Sequence, residues 1–114
     1  MSFASVNVFT VRAGAMDAFV ALQHDAFLPL LRRQSGFHAF EIVRTGADTG
    51  VATLWWASEE ARQAATPELN RWVEEHLAPF FIAVDNPAGP VVLSWRDDGA
   101  DPPGAGPHTV GSYA

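Results

Sequence analysis

The spacing of apolar positions changes along the first third of the chain, and each change marks a boundary between predicted elements. Residues Phe3–Val11, "FASVNVFTV", are rich in β-branched and aromatic side chains and predict a strand. Over residues 15–33 apolar positions recur three or four apart, which predicts a helix. Pro29 should loosen the last turn of that helix, and Gly36 follows where a helix end favours positive φ.

A hairpin is predicted next. Residues Phe37–Arg44, "FHAFEIVR", and residues 51–57, "VATLWWA", both have the composition of strands. The segment between them, "TGADTG", is polar and bounded by glycine, as in the turns that join antiparallel strands. The two strands are therefore expected to pair directly with each other.

The second half of the chain predicts two helices and a last strand. Ser58 is placed to cap a short helix over residues 59–66, and Pro67 suits the first position of a further helix. Pro79 should weaken the end of that helix. "NPAGP" then predicts a turn, and residues 91–95, "VVLSW", predict the fourth strand.

The element order βαββααβ predicts the fold class. It is the split βαβ arrangement of ferredoxin-like α+β domains, in which helices gather on one face of an antiparallel sheet. At 114 residues the chain has the length of one domain. We expect that domain to span residues 1–96, because residues 97–114 are rich in Gly and Pro and have the composition of a flexible tail.

The other face of the sheet lacks a cover in this scheme. Trp55 and Trp56 are adjacent in one predicted strand, so their indoles point to opposite faces. The chain's own helices can cover only one of those faces. A sheet from a second copy is the simplest cover for the other face, so we expect a homodimer.

Composition and charge narrow the classes of function. The formal net charge is −6, and all seven basic residues are scattered arginines, so no basic stripe is expected to bind nucleic acid. There is no cysteine, and therefore no disulfide, thiolate metal site or cysteine nucleophile. The apolar runs are too short to span a bilayer, so no membrane is expected as a partner. The first residues lack the pattern of a secretory signal, and a cytoplasmic location is expected by default.

Three polar side chains interrupt surfaces that should face the core. A helical projection puts His76 near the centre of the last helix's apolar stripe and Gln23 near that of the first, with His24 at its edge. Asn7 is the amide among the inward positions of the first strand. Unpaired buried polar groups cost about 1–3 kcal/mol, so these three should either find partners or line a cavity. Both interpretations stay open on the residues alone.

A cavity at this place would suit a small aromatic ligand. Aromatic residues make up 11% of the chain, and an apolar pocket with a few polar groups is the usual form of a small-molecule site. The candidates for its walls, which would stack on a planar ligand, are Trp55, Trp56, Trp72 and Phe80. The sequence has no Gly-x-Gly-x-x-Gly, P-loop, nucleophile-elbow or metalloprotease motif, so we expect no nucleotide cofactor and no metal.

Three stretches of the sequence, taken in their order, resemble the antibiotic biosynthesis monooxygenase family. They are "VNVFTVRAGAMDAFVAL", "SGFHAFEIVR" and "TLWWASEEARQAA", and the resemblance covers residues 3–96. It implies a dimeric α+β barrel of ferredoxin-like units, with a cavity between sheet and helices in each subunit. Some members oxygenate anthrones and similar polycyclic phenols without a cofactor, and others degrade haem.

The haem-degrading members combine an Asn on the first strand, a Trp on the helix after the third strand and a His on the next helix, which binds the iron. Asn7 and His76 match the first and last of these positions. The expected Trp falls near Ala65, so the sequence departs from the haem-degrading pattern at one of three places.

The function that the resemblance and these residues imply together is that of a cofactor-independent monooxygenase, acting on a planar phenolic or quinone-like molecule and O2. His76 is the candidate base, because a neutral imidazole accepts a proton near pH 7. Asn7 and Gln23 would orient the substrate or stabilise a developing oxyanion. One alternative is a haem-binding or haem-degrading protein with His76 as iron ligand. The other is a non-catalytic ligand-binding dimer whose polar groups are merely satisfied.

Overall fold

The computed structural model describes residues 2–97. Its strands are β1 (Phe3–Val11), β2 (Phe37–Arg44), β3 (Thr49–Trp56), β4 (Phe81–Asp85) and β5 (Ala88–Pro90). The helical segments are α1 (Met16–Leu22), a π-helical turn (Gln23–Phe27), α2 (Leu28–Arg32), α3 (Glu59–His76) and a 3-10 turn (Ala78–Phe80). Apart from Asp97, the predicted tail over residues 97–114 lies outside the described residues.

The strands form one antiparallel sheet with β1 near its centre. The order is β2-β3-β1-β4, and β5 also pairs with β1. β4 and β5 share one edge of β1, β4 along its second half and β5 along its first. Between them the Val6 amide donates to the Pro87 carbonyl over 2.8 Å, so the edge is nearly continuous. This topology confirms the predicted ferredoxin-like α+β fold.

The core lies between the helices and the inner face of the sheet. Inward positions alternate along β1, and Phe3, Phe9 and Val11 among them are buried. α3 contributes its buried positions at intervals of four residues, Ala65 and Leu69, as expected for one face of a helix. The apolar residues of the strands, which alternate along the chain, and those of the helices, which recur every three or four residues, therefore meet in a single layer between sheet and helices.

Two predicted local signals are confirmed. Gly36 has a φ of +81°, and a Cβ built there would lie 2.6 Å from the Ala61 Cβ, so both the backbone and the packing favour glycine. Ser58 caps α3, because its Oγ accepts a hydrogen bond from the Ala61 amide over 3.1 Å. Gly36 thus lies in the turn between α2 and β2, and Ser58 marks the start of α3.

The prediction of two helices over residues 59–66 and from Pro67 onward was wrong, because α3 runs unbroken through both. Pro67 lacks an amide hydrogen, so the Gln63 carbonyl has no helical donor at this point. Both residues are exposed, and water can hydrate that carbonyl. A proline on the solvent side of a helix that is packed on its other side is therefore tolerated.

The prediction of the fourth strand at residues 91–95 was also wrong. β4 begins directly after the 3-10 turn at Phe81, and part of the predicted "NPAGP" turn forms β5. Val91 donates its amide to the Ser2 carbonyl over 2.9 Å. Since β1 begins at Phe3, the residues after Val91 run past the end of the strand with which they could pair.

The apolar side chains of this last segment are exposed for the same reason. Val92, Leu93 and Trp95 have 90%, 87% and 87% of their surface exposed. Trp95 is therefore not the core residue that its type suggests. Within residues 2–97, no helix is long and apolar enough to cross a membrane.

The outer face of the sheet is open in the single chain. Val8 of β1 and Val43 of β2 are 49% and 54% exposed, and Trp55 of β3 is half-buried on the same face. Trp56, one residue later, points inward and is buried. The opposite orientation of the two indoles agrees with the strand prediction.

Candidate functional site

A cavity of about 280 Å³, here called the main cavity, lies between the inner face of the sheet and the helices. Five phenylalanines line it, namely Phe9, Phe19, Phe27, Phe40 and Phe81. The aliphatic lining residues are Ala52, Leu54, Val73, Leu77, Ala78 and Val84, and the polar ones are Asn7, Gln23, Glu74 and Asn86. An apolar cavity with a few polar groups is the usual form of a site for a small organic ligand.

Small residues on β3 make room for the cavity. Ala52 lies opposite Asn7 on the neighbouring strand, where a larger side chain would fill the floor. Gly50 lies opposite Phe9, and a Cβ built on it would come within 2.5 Å of the Phe9 ring. The phenylalanine ring therefore rests over glycine backbone, and the space beside it stays open.

Gln23 reaches the cavity from the first residue of the π-helical turn. In this turn the Leu28 amide donates to the Gln23 carbonyl, one residue further than in an α-helix. Pro29, which has no amide hydrogen, follows directly. Such turns widen a helix locally and occur frequently at functional sites. The sequence pattern predicted a helix here but not its π-helical part.

The amides of Asn7 and Gln23 both lack hydrogen-bond partners within residues 2–97. Gln23 is only 3% exposed, and Asn7 is half-buried in the middle of β1. An unpaired buried amide costs about 1–3 kcal/mol, and a ligand or water in the cavity removes that cost. The structure thus brings together two of the three predicted polar groups, and it leaves both available to a ligand.

A second, smaller cavity of about 110 Å³ adjoins the first, and we call it the side chamber. The two share the lining residues Asn7, Leu54, Val73 and Asn86. Trp56 lines the side chamber, and its Nε1–H is buried without a partner in the described part of the chain. Its ring meets Phe37 edge-on at 5.7 Å. Trp56 thus combines a packed indole with a free donor.

His76 does not lie where the helical projection put it. It is exposed, it does not line either cavity, and its ring lies 4.8 Å from the ring of Trp72. A projection gives the angle around the helix axis but not the position along it, and His76 is the last residue of α3. Helical side chains lean towards the N-terminus, so the imidazole covers Trp72 instead of reaching the sheet. The predicted convergence with Asn7 and Gln23 was wrong for this residue.

Four further predicted residues also lie outside both cavities. His24 is exposed and pairs with the Asp25 carboxylate at 3.0 Å, and Trp55 lies on the outer face of the sheet. Trp72 stacks on Phe27 at 5.1 Å, behind the cavity wall. Phe80 packs on Phe19 at 5.7 Å, and its neighbour Phe81 lines the cavity in its place.

Sequence reasoning missed three of the residues that line the main cavity. Glu74 is exposed on α3, and it also borders the main cavity. Phe81 and Asn86 were missed because the strand between them was not predicted. The signal for that strand was the apolar run "FFIAV" directly after Pro79, a residue that often follows a helix end.

The donor set of the cavities does not suit a metal ion or haem. Within residues 2–97, no three His, Asp or Glu side chains lie close enough together to hold a metal. Haem iron takes an axial His, Cys, Met or Tyr, and none of these residue types lines the main cavity or the side chamber. The residues present fit an organic ligand held by stacking and hydrogen bonds.

Comparison with known proteins gives a family match. The family model described as "Antibiotic biosynthesis monooxygenase" matches residues 2–75. No curated protein sequence matches the chain.

Solved structures with the same fold include an oxygenase, a monooxygenase and a porphyrin-binding protein. A mutant of SnoaB, a cofactor-independent oxygenase from Streptomyces nogalater, is 20% identical, with a TM-score of 0.71 over 84% of this chain and 98% of that one. The ActVA-Orf6 monooxygenase of Streptomyces coelicolor, in complex with nanaomycin D, is 18% identical, with a TM-score of 0.68 over 84% and 92%. A mutant of MhuD with two manganese protoporphyrins per active site is 21% identical, with a TM-score of 0.66 over 83% and 99%. At these identities the likeness shows the fold alone.

Proposed function

The chain belongs to the antibiotic biosynthesis monooxygenase family, and we propose that it oxygenates a planar, electron-rich aromatic molecule with O2 and without a bound cofactor. The observation that carries the proposal is the main cavity, with its five phenylalanines and the unpaired amides of Asn7 and Gln23. Flat aromatic walls suit a flat aromatic ligand, and amides suit its carbonyl or phenolic oxygen. SnoaB, described as a cofactor-independent oxygenase, and ActVA-Orf6, with its bound nanaomycin D, support this choice of chemistry.

An anthrone illustrates the reaction. Loss of a proton from the ring carbon opposite the carbonyl gives an electron-rich enolate. The enolate transfers an electron to O2, and the two radicals combine to form a carbon–oxygen bond and a hydroperoxide. Loss of water from the hydroperoxide leaves the quinone, so one anthrone and one O2 give one quinone and one water. The chemistry requires stabilisation of the enolate oxygen and a proton acceptor.

The amide side chains supply the stabilisation of the enolate. Each carries an NH2 group that donates, and the amides of Asn7 and Gln23 form no hydrogen bond within residues 2–97. Donors held in an apolar cavity stabilise negative charge more strongly than donors in water. Removal of one such donor typically lowers the rate about 100-fold or more.

Glu74 is the candidate proton acceptor. Within residues 2–97, it is the one ionisable side chain that lines the main cavity, and its exposure gives the proton a route to solvent. His76, the base favoured by the sequence, is exposed and does not line the cavity, and its role as base stays an untested prediction. Geometry therefore favours the carboxylate over the imidazole.

Haem chemistry is not part of the proposal. MhuD, which has the same fold, binds a manganese porphyrin, so haem binding is the alternative function to consider. In this chain His76 is exposed and no residue of an axial-ligand type lines the cavity, so its lining does not fit haem.

We further propose that the chain forms a homodimer through the outer face of its sheet. Val8, Val43 and Trp55 leave an apolar strip on that face, and no described segment of the chain covers it. A second sheet packed face to face would cover it in both copies at once. The exposed residues Val92, Leu93 and Trp95 are further apolar surface that a second copy could cover.

The reaction is tested with 1,8-dihydroxyanthrone as substrate. An oxygen electrode measures the uptake of O2, and absorbance measures the formation of the quinone. Glu74→Gln should lower kcat at least tenfold, whereas Glu75→Gln, an exposed neighbour with the same change of charge, should not. Asn7→Ala should lower kcat, whereas Gln63→Ala, an exposed amide paired with Glu59, should leave it unchanged. Binding of the anthrone without uptake in the native protein would instead indicate a non-catalytic binding module. Loss of uptake in His76→Ala alone would return the base role to that histidine.

A further inference from the structure

The side chamber has a chemistry that differs from that of the main cavity. We propose that it binds a carboxylate group carried by the same ligand, so that the substrate is an aromatic acid with its carboxylate directed towards Trp56 and Arg62. The proposal rests on the proposed function for the aromatic part of the ligand. It adds the identity of the group at one end.

The side chamber contains a buried donor without a partner. Trp56 is 1% exposed, and its Nε1–H has no partner in the described chain. Ser5 is 5% exposed, and no hydrogen bond of its hydroxyl occurs within residues 2–97. The Thr66 hydroxyl, by contrast, is already hydrogen-bonded, because its Oγ1 donates to the Arg62 carbonyl over 2.7 Å. The Trp56 Nε1–H is therefore the buried donor that lacks a partner, and the Ser5 hydroxyl is free to bond beside it.

Arg62 gives the chamber its charge. It is the one cationic side chain that lines either cavity within residues 2–97, and it is half-buried. It forms no ion pair with a carboxylate of the described chain. Its guanidinium carbon lies 6.0 Å from the centre of the Phe3 ring, a cation–π distance that holds the side chain against the wall.

The donor inventory selects an anion. A guanidinium and an indole N–H donate and cannot accept, so the occupant of the chamber must supply acceptors. A carboxylate supplies two acceptor oxygens and neutralises the charge of Arg62, and arginine binds carboxylates in a bidentate geometry. A neutral hydroxyl would satisfy the hydrogen bonds only in part and would leave the charge unpaired.

The position of the chamber allows one molecule to occupy both spaces. Phe9, Asn7 and Ser5 are successive inward residues of β1, and they line the main cavity, the junction and the side chamber in that order. The chamber's volume of about 110 Å³ exceeds the roughly 30 Å³ that one water takes in the liquid, so it has room for a carboxylate. The long axis of the ligand would then follow β1.

Isothermal titration calorimetry with a matched pair of ligands tests the proposal. Anthraquinone-2-carboxylate and the neutral anthraquinone-2-carboxamide share the aromatic part and differ in the charge of the end group. The native protein should bind the carboxylate at least about tenfold more tightly, as expected for a charge-assisted hydrogen bond. Arg62→Gln should abolish this preference and leave the carboxamide affinity unchanged, and Arg62→Lys should retain part of it.

Two controls separate the chamber from general effects. Arg71→Gln makes the same change of charge at an exposed position of α3 that lines neither cavity, and it should keep the preference. Trp56→Phe keeps an aromatic ring but removes the donor, and it should weaken binding of the carboxylate more than binding of the carboxamide.

Equal affinity of the native protein for the two ligands would overturn the carboxylate site and leave the aromatic ligand of the main cavity in place. Equal weakening of both ligands by Arg62→Gln would also overturn it, since the arginine would then act through packing on Phe3. Absence of binding by both ligands would overturn the proposed function and this inference together.

Discussion

Replacement of Gln23 by leucine is expected to make the protein more stable and less able to bind its ligand. Gln23 is 3% exposed, and its amide has no partner within residues 2–97. Leucine has a similar size and no polar group, so it keeps the packing and removes the unpaired amide. The opposite signs of the two effects distinguish a site residue from a structural one.

The size of the stability effect follows from the burial. An unpaired buried polar group costs about 1–3 kcal/mol, and water that enters the cavity lowers that cost, so we expect a gain of about 1 kcal/mol in the free energy of unfolding. For a domain of this length a gain of 1 kcal/mol raises the Tm by about 4–8 °C. Affinity for the neutral carboxamide ligand should fall about two- to tenfold, as expected for the loss of one hydrogen bond to a carbonyl oxygen.

Urea denaturation and calorimetric titration of the carboxamide ligand measure the two effects on the same samples. Gln34→Leu is the matched control, because the Gln34 amide donates to the Leu30 carbonyl over 3.1 Å and to Glu68 over 3.4 Å. That change should lower stability by about 0.5–1 kcal/mol and leave ligand binding unchanged. A loss of stability of 1 kcal/mol or more in Gln23→Leu would refute the reasoning, because it would show that the amide is paired in the folded protein.

Three further predictions concern the dimer, the turn before β2 and haem. Val8→Glu should give a monomer by light scattering after gel filtration, with an unchanged circular dichroism spectrum. Val20→Glu, on exposed helix surface, should leave the dimer intact. A dimer that survives Val8→Glu would place the interface elsewhere. Gly36→Ala should lower the free energy of unfolding by about 1–3 kcal/mol and by more than Gly14→Ala, because both residues have positive φ but only Gly36 would place a Cβ against Ala61. Titration with haem should produce no Soret shift; a shift that vanishes in His76→Ala would establish the haem alternative.

Much of the fold could be predicted from the sequence, because most strands and helices carry their own signals. The alternation along β1, the glycine at position 36 and the cap at Ser58 each act locally, and each is present in the structure. The failures at Pro67 and at residues 91–95 have a common cause. Packing on the sheet stabilises a helix through an exposed proline, and a β-rich segment without a neighbouring strand has nothing to pair with.

The candidate site could be predicted only in part. Asn7 and Gln23 were found because a polar residue at an inward position must have a partner or a cavity, and that argument needs only the period of the element. His76 satisfied the same test and failed, because the test ignores where the helix ends relative to the sheet. Arg62 and Ser5 gave no signal in the sequence, since a half-buried arginine and a small buried hydroxyl are ordinary in a domain of this size.

The arrangement of unpaired groups gives an argument for function that does not depend on any relative. The indole N–H of Trp56 is buried and unpaired in the described chain, and the amide of Gln23, a residue 3% exposed, forms no hydrogen bond there; each costs stability that an apolar residue of similar size would not cost. They line two neighbouring cavities that share Asn7 in their walls, and the smaller cavity also contains an arginine without an ion pair in the described chain. Departures from good packing are expected at functional sites and are costly elsewhere. The two cavities are therefore best understood as one binding site, apolar at the end of the phenylalanines and anion-binding at the end of Trp56 and Arg62.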